Sequence, residues 1–261
     1  MAFADPQPSD SELAAIYTPR YFEPFGLKSE CQQAYRGMKR AWFVRLLGLA
    51  EAYAAPSRLL DVGSGPGDLL AVGRSRGWDV QGIEPNPFAV AVSDTVVPGA
   101  TFQGSLADFD GHVGAFGLVT CCDVLEHVRD PSDELIRMRR ALRPGGCVLL
   151  TTIDSAGWQA RLTGARWIHY LPEHLWYFNR ESLTRLVIQA GLDVVHWEVP
   201  RKVFNLRYIL GIFAHHSSSP TWRRVWDGLL RMIPEFAQSA LLPGLPEGQL
   251  LIAKKPCGRG V

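Results

Sequence analysis

A glycine-rich turn, LLDVGSGPGDLL at residues 59–70, is the segment best suited to bind a ligand closely. Gly63, Gly65 and Gly67 directly follow an apolar run, so a ligand can approach the bare backbone there. A pyrophosphate-binding turn would have its third glycine at the position of Asp68. Because a carboxylate at a helix N-terminus opposes an anionic ligand, the turn disfavours NAD, FAD and ATP. It tolerates a ligand that carries positive charge.

A second carboxylate, Glu84, lies about 20 residues after the glycines, the spacing at which an acidic residue binds ribose hydroxyls in dinucleotide-binding folds. Taken alone, Glu84 could be a solvated strand end, and the glycines could form a tight turn that needs only positive φ. Together they predict a site for a nucleoside without a pyrophosphate. A cationic nucleoside would suit it.

Three ionisable residues, Asp123, Glu126 and His127, follow another apolar run. In a helical turn they would share one face. Such a group can supply a general base, because an unperturbed histidine titrates near pH 6.5, at about the pH of the cell. It can also hold a divalent cation, with His174 as a fourth ligand. The third possibility is packing, in which Glu126 caps a backbone group or pairs with an arginine such as Arg129, and His127 packs under the loop.

Short apolar runs alternate with helical stretches from residue 58 onward, which predicts an α/β fold with a parallel sheet covered on both faces. The predicted strands are 58–62, 79–83, 101–104, 117–121, 147–153, 192–199 and 249–253. The predicted helices are 30–53, 67–76, 88–95, 131–142 and 180–190. We expect a helical N-terminal lid (1–57), a core (58–199 and 248–256) and a helical insert (200–247), in which apolar residues between Trp222 and Ala237 recur at helical spacing. The insert could cap a pocket, form a dimer face or lie on a membrane surface.

Charge and composition exclude several classes of function. With 27 basic and 26 acidic side chains the net charge is +1, so no global field favours nucleic acid. The sequence contains neither a secretory signal nor an apolar segment of about 18 residues, so we expect a cytoplasmic protein, monomeric or homodimeric. Its five cysteines form no CxxC pair, which disfavours a thiolate zinc site and indicates reduced packing residues.

From about residue 21 to 255 the chain resembles class I S-adenosylmethionine-dependent methyltransferases, and four motifs carry the resemblance. LLDVGSGPGDLL resembles the cofactor loop and GIEPNP the segment with the acid of the second strand. LVTCCDVLEHVRDP resembles the fourth strand with its following turn, and ALRPGGCVLLTT the fifth strand with the helix before it. The segment HYLPEHLWYFNRESLTRLVIQAGLDVV is similar to a bacterial small-molecule branch, the ubiquinone-type O-methyltransferases. The resemblance implies a Rossmann-like, doubly wound, mostly parallel sheet of seven strands with an antiparallel last strand. It also implies S-adenosylmethionine as cofactor, S-adenosylhomocysteine as product, and a small, aromatic or apolar acceptor.

The resemblance further implies the residues that contact the cofactor. They are Asp61, Gly63, Ser64, Gly65, Gly67, Glu84, Pro85, Ser105, Leu106 and Asp123. Asp61, Gly63 and Gly65 would line the methionine part, and Glu84 would bind the ribose. Asp123 would lie near the methionine amino group. The N-terminal tyrosines, Tyr17, Tyr21 and Tyr35, could fold over the cofactor as a lid or simply pack.

The adenine end departs from the family pattern. Ser105 and Leu106 would border the adenine, but the family often has an acidic residue where Ser105 stands. It also often has Asp where this chain has Gly117 after Phe116. Adenine recognition is therefore expected through backbone or hydroxyl contacts.

Methyl transfer from a sulfonium is an in-line displacement that depends mainly on alignment, and a hydroxyl acceptor must also lose a proton. The catalytic candidates are Glu126, His127 and His174. Similar enzymes bind a metal through an E-x-x-E-H pattern and a later histidine. Here Asp123 replaces the first glutamate, so a metal on these four residues is possible but not favoured. We expect O-methylation of a small molecule. The alternatives are N- or C-methylation and a non-catalytic protein that only binds S-adenosylmethionine.

Overall fold

A computed structural model describes residues 1–18, 32–109, 113–206, 225–226, 228–229, 232–238 and 240–257. The strands in these ranges are β1 (Ala2–Phe3), β2 (Arg58–Val62), β3 (Asp79–Glu84), β4 (Thr101–Gln103), β5 (Phe116–Cys122), β6 (Leu142–Thr152), β7 (Trp176–Tyr177), β8 (Asp193–Glu198), β9 (Arg201–Asn205), β10 (Leu241–Pro246) and β11 (Gln249–Lys254). The helices are α1 (Asp10–Ile16), α2 (Gln32–Ala50), α3 (Asp68–Ser75), α4 (Pro87–Val96), α5 (Pro131–Ala141), α6 (Trp158–Thr163), α7 (Arg180–Gln189) and α8 (Glu235–Gln238).

The central sheet has seven strands in the order β4-β3-β2-β5-β6-β11-β8. Strands β4, β3, β2, β5 and β6 pair in parallel, and β11 is antiparallel to both β6 and β8. The predicted seven-stranded, mostly parallel sheet with an antiparallel last strand is confirmed. The order reverses between β2 and β5, and ligands of open α/β sheets bind at the carboxyl ends of the strands at such a point.

The strands form where continuous apolar runs can be buried on both faces of the sheet. Neighbouring residues of β2, Leu59 and Leu60, are fully buried in two different hydrophobic clusters, one on each face. The helices that cover the sheet have clear start signals. Asn86 accepts hydrogen bonds from the first turn of α4, and Asp130 does the same for α5, each followed by a proline at the first helical position.

Strand β6 begins earlier than the predicted strand 147–153, because the segment of Pro144 and Gly145 extends the strand instead of forming a separate loop. A register irregularity between Phe116 and Leu118 of the neighbouring β5 accommodates it. Helix α2 ends at Ala50, before the predicted end at residue 53, and residues 30 and 31 lie outside the described ranges.

The segment predicted as a helical insert, 200–247, begins and ends with strands. β9 and β10 pair antiparallel in a separate two-stranded sheet. Two prolines and a glycine in β10 disfavour a helix there. The short helix α8 lies within the predicted helical run, while Trp222 and most of the segment between the strands lie outside the described residues.

The N-terminal segment contacts the rest of the chain at several points. Ser9 and Glu12 form a capping box at the start of α1, and β1 pairs antiparallel with β7. The side chains of Tyr21 and Tyr35 lie outside the described residues. No described helix combines the length and hydropathy needed to cross a bilayer.

Candidate cofactor and acceptor site

The three glycines of the turn after β2 all have left-handed backbone conformations, with φ of 70° at Gly63, 51° at Gly65 and 83° at Gly67. A Cβ atom at Gly63 would collide with the Val124 side chain, and one at Gly67 with Ser93. A Cβ atom at Gly65 would have no described atom within 4 Å. Gly63 and Gly67 are therefore required by packing, whereas Gly65 borders open space where a ligand can approach the backbone.

Glu84, at the end of β3, faces the same turn. Its Oε2 accepts a hydrogen bond from the Gly65 amide at 2.9 Å, and its Oε1 accepts one from the Asn86 amide at 2.8 Å. Burial raises the pKa of this carboxyl above its ordinary value. Because a carboxylate oxygen can accept two hydrogen bonds, both oxygens can still accept from a ligand hydroxyl.

Asp61 lies in β2, buried behind the turn. It accepts a hydrogen bond from the Thr120 hydroxyl at 2.6 Å, and burial raises its pKa to about 7. The buried Ser64 hydroxyl has no partner among the described residues. Burial also raises the pKa of Asp68, which is the first residue of α3. The open backbone, the orphaned hydroxyl and the buried acids fit S-adenosylmethionine, because its sulfonium and ammonium are cationic.

Asp123 follows β5 with a left-handed φ of 55°. Its carboxylate accepts hydrogen bonds from the Thr151 hydroxyl at 3.0 Å and from the Lys202 ammonium at 2.9 Å. Burial alone would raise the pKa of Asp123, but the charges of Lys202 and Lys39 bring it below its ordinary value. The residue is thus a carboxylate held by an ammonium of β9, at the carboxyl end of the sheet.

Glu126, His127 and His174 form a compact cluster. Their candidate ligand atoms lie within 4.8 Å of one another, and the two imidazole rings meet edge to face with centroids 4.7 Å apart. The predicted fourth member, Asp123, is outside this cluster. The condition for a shared helical face is not met, because only residues 125–127 form a turn and Asp123, in its left-handed conformation, is bound to Lys202.

The hydrogen bonds around the two histidines assign their tautomers. His127 Nδ1 lies 3.0 Å from the Glu173 carbonyl oxygen, and His174 Nδ1 lies 2.8 Å from the His169 carbonyl oxygen. A carbonyl oxygen can only accept, so each Nδ1 is assigned a hydrogen and each Nε2 a lone pair. For His127 this makes the Tyr17 hydroxyl, 3.0 Å from the same Nδ1, a second acceptor. The pattern is that of histidines oriented for proton acceptance or metal binding.

Burial sets the protonation of the cluster. It lowers the pKa of both His127 and His174 to about 4, so both rings are neutral at pH 7. Burial, followed by the negative charge of Asp123, raises the pKa of Glu126 well above its ordinary range. Glu126 also accepts a hydrogen bond from the Thr152 hydroxyl at 2.8 Å.

Backbone contacts hold the two halves of the cluster together. The Glu126 carbonyl oxygen accepts from the amides of Leu175 at 2.8 Å and Trp176 at 3.2 Å. The Trp176 indole donates to the Val128 carbonyl oxygen at 2.9 Å. The segment containing His174 is therefore fixed against the turn that follows β5.

Comparison with known proteins decides the family. A sequence profile described as a methyltransferase domain matches residues 35–197, more than half of the chain. The chain belongs to the methyltransferase-domain family. It is an S-adenosylmethionine-dependent methyltransferase, and the family implies S-adenosylmethionine and S-adenosylhomocysteine as its ligands.

Curated relatives give a consistent picture. The chain is 30% identical over 165 residues to the ubiquinone biosynthesis O-methyltransferase of Aromatoleum aromaticum, a match that covers 58% of this chain and 68% of that protein. It is 33% identical over 119 residues to the protein of the same name from Pectobacterium atrosepticum, covering 42% of this chain and 49% of that protein. The chain thus matches only about half the length of the latter relative.

Solved structures share the fold at low sequence identity. A putative methyltransferase from Bacillus halodurans superimposes with a TM-score of 0.60 at 15% identity, covering 83% of this chain and 99% of that one. The (4+2)-cyclase SpnF superimposes with a TM-score of 0.64 at 20% identity, covering 97% of this chain and 99% of that one. These likenesses establish the fold alone.

The N-terminal segment of this methyltransferase reaches the site. The Tyr17 hydroxyl lies 3.0 Å from His127 Nδ1, and the Tyr17 carbonyl oxygen accepts from the Asn86 side chain at 2.8 Å. Tyr17 thus links the end of β3 to the histidine cluster. Arg129 pairs with Asp10 at 2.7 Å, so it is not the partner of Glu126, which accepts from Thr152 instead.

The region expected to border the adenine contains an acid that the sequence reasoning missed. The Ser105 amide and hydroxyl donate to the Asp108 carboxylate at 2.9 Å and 2.5 Å. These hydrogen bonds lower the pKa of Asp108. Leu106 is buried and Pro85 is exposed. The sequence signal for this acid is a serine followed three residues later by an aspartate, a spacing that allows a local hydrogen bond between them.

Lys202 was also missed. Its ammonium lies 6.0 Å from the Trp42 ring centroid in addition to its contact with Asp123. No local pattern could indicate the Lys202–Asp123 pair, because the two residues are 79 positions apart in the chain. The charge of Asp123 holds the pKa of Lys202 above its ordinary value, although burial alone would lower it.

Proposed function

We propose that this methyltransferase transfers the methyl group to a hydroxyl oxygen of a small-molecule acceptor. The observation that carries the proposal is the pair of neutral histidines beside Glu126, of which His174 is buried and His127 half-buried. A hydroxyl acceptor needs a group that takes its proton as the new bond forms, and a neutral imidazole Nε2 can do so. The names of the two relatives, both O-methyltransferases, support the same chemistry.

In this proposal the residues around the glycine turn bind and orient the cofactor. Glu84 accepts hydrogen bonds from the ribose, Gly65 allows close backbone approach, and Asp61 and Asp123 supply negative charge for the methionine end. Asp108 takes the place of the missing acid at the adenine. S-adenosylmethionine, when bound, supplies an electrophilic methyl group on a sulfonium. The segments before β2 and after β8 act as the lid and the cap that exclude water.

The proton of the acceptor passes to Nε2 of His127 or His174. The carbonyl oxygens of Glu173 and His169 stabilise the imidazolium that forms, because each accepts the Nδ1 hydrogen. Because its raised pKa keeps the Glu126 carboxyl protonated at neutral pH, Glu126 is a neutral neighbour of the histidines and supplies no counter-charge. Positioning supplies the rest of the catalysis.

The three side chains of the cluster also suit a divalent cation. Two imidazoles oriented by carbonyl oxygens and one carboxylate form an adequate donor set. A cation there would lower the pKa of an acceptor hydroxyl directly. A chelator distinguishes the two cases, since only a cation-dependent enzyme would lose activity and regain it with added zinc or manganese.

The test measures how fast S-adenosylhomocysteine forms when phenols, hydroxy acids or sugars are offered as acceptors. Amines of the same shape are compared with them, for example p-toluidine with the phenol p-cresol. His127→Asn retains a donor for the Glu173 carbonyl oxygen and removes Nε2. We expect it to lower kcat about 10²- to 10⁴-fold with unchanged S-adenosylhomocysteine affinity. His196→Asn, on β8, is the matched control. If His127→Asn is fully active, His174→Asn must show the loss instead. Turnover of amines alone, or full activity of both variants, would refute the proposal.

A further inference from the structure

A cavity of about 90 Å³ lies at the carboxyl end of β6, between the start of α6 and the turn from β10 to β11. At about 30 Å³ per water molecule, it has room for a group of a few heavy atoms. Its polar and aromatic lining residues are Asp154, Trp158, Gln159, Trp167, His169 and Glu247. None of these six belongs to the predicted cofactor site.

The cavity adjoins the histidine cluster through one residue. His169 lines the cavity, its carbonyl oxygen accepts the Nδ1 hydrogen of His174, and the two rings stack with centroids 6.2 Å apart. The Nε2 atom of His169 lies 2.6 Å from a carboxylate oxygen of Glu247. A group bound in the cavity would therefore lie next to the cluster proposed to accept the proton.

One residue that lines the cavity has an unmatched hydrogen-bond donor. Trp167 is 4% exposed, and its indole Nε1 has no partner among the described residues. A buried donor without an acceptor is unfavourable, so a ligand atom that accepts a hydrogen bond would be favoured. Asp154 accepts one hydrogen bond, from the Ala156 amide at 3.0 Å, and its carboxylate has further lone pairs.

The charges of the lining select among ligands. Glu247 is bonded to His169 and also interacts with the positive charge of Lys202, so Asp154 is the carboxylate that disfavours an anion. The Trp167 donor disfavours an ammonium group. A hydroxyl group meets both requirements, because it accepts from an indole and donates to a carboxylate. The Trp158 indole, which donates to the Pro246 carbonyl oxygen at 2.8 Å, contributes an apolar wall.

We infer that this cavity binds a neutral, hydroxyl-bearing group and that it is the subsite for the hydroxylated part of the acceptor remote from the methylated oxygen. The second half of the inference rests on the proposed function. The acceptor would then be a polyhydroxylated compound of which one hydroxyl meets the histidine cluster and another the cavity.

Three two-carbon probes test the inference: ethylene glycol and ethanolamine, with four heavy atoms each, and glycolate, with five. The readout is the indole N–H resonance of Trp167, assigned by its absence from the spectrum of Trp167→Phe. The chain has eight tryptophans, so the other indole resonances are internal controls. Glycolate must be included because the positive charge of Arg161, which acts on Asp154, would attract an anion.

We expect ethylene glycol to shift the Trp167 resonance saturably, with a dissociation constant of about 1–100 mM, as befits so small a ligand. Glycolate and ethanolamine should bind at least about tenfold more weakly. Asp154→Asn keeps the acceptor for the Ala156 amide and should weaken ethylene glycol binding about fivefold, about the effect of one modest hydrogen bond. The exposed Asp193→Asn is the control. A missing shift, or equal binding of the three probes, would overturn the inference.

S-adenosylhomocysteine is titrated into the same samples, which separates the two proposals. If the cofactor product binds and ethylene glycol does not, only the inferred subsite fails. If ethylene glycol binds at Trp167 but no hydroxylated acceptor is methylated, the cavity stands as a hydroxyl site and the proposed function fails, together with the acceptor role of the cavity.

Discussion

Replacing Gly65 by alanine tests whether the open space beside the glycine turn is where the cofactor binds. Gly65 has a φ of 51°, and a Cβ atom built there would meet nothing within 4 Å among the described residues. The new methyl group therefore causes no collision inside the protein. It would occupy space that a ligand lying against the backbone needs.

Two costs must be separated. An alanine in a left-handed conformation costs about 1–2 kcal/mol of stability. Gly77, between α3 and β3, offers a matched control, because it has a φ of 87° and also no described atom within 4 Å of a built Cβ. Both variants should lose a similar free energy of unfolding. Only Gly65→Ala should lose a further 1–3 kcal/mol of cofactor affinity, the approximate cost of overpacking, which is about a 5- to 150-fold increase in Kd.

Isothermal titration with S-adenosylmethionine and S-adenosylhomocysteine measures the affinities, and denaturant unfolding measures the stabilities. Gly77→Ala should bind both ligands within about twofold of wild type. If Gly65→Ala binds as tightly as Gly77→Ala, the methyl group does not touch the cofactor, and the assignment of the turn is refuted.

Two further perturbations follow from buried charges. Burial raises the pKa of Asp61 to about 7, so the folded protein favours the neutral carboxyl. The stability that this residue allows is fully present below the pKa of the unfolded state and is lost as the pH rises through 7. From pH 5 to pH 8, the free energy of unfolding of wild type should fall by about 2–3 kcal/mol relative to Asp61→Asn, and parallel pH curves in urea denaturation would contradict this. Lys202→Met removes the ammonium that contacts Asp123, and since both side chains are about one-third exposed, it should destabilise the protein by only about 1 kcal/mol. An unchanged melting temperature at low and high salt would show that the pair contributes nothing.

The sheet could be predicted from the sequence because its strands are continuous apolar runs bounded by glycine, proline and polar residues. Strand β2 has the predicted limits of 58–62. The antiparallel direction of the last strand came from the family resemblance, since periodicity alone does not set the direction of a strand. Strands β9 and β10 were missed because each depends on the other for its hydrogen bonds, and the two lie at opposite ends of a long segment.

The candidate site was predictable where a short motif places residues together. The glycine turn and Glu84 are of this kind, and they meet through the hydrogen bond from the Gly65 amide. Asp123 was misplaced in the histidine cluster because spacing assumed a helical turn, while the residue is left-handed. Aspartate tolerates that conformation better than most residues, but the sequence contains no sign that it adopts it here.

The backbone contacts between residues 126–128 and 173–176 bear on how relatives of this chain can diverge. Each segment satisfies hydrogen-bonding groups of the other: the Glu126 and Val128 carbonyl oxygens on one side, and the Glu173 carbonyl oxygen on the other. A substitution or length change in one segment displaces its counterpart, whereas the residues between them can change length with less consequence. In an alignment of homologues, the two segments should therefore covary as one unit, and insertions should concentrate in the chain that separates them.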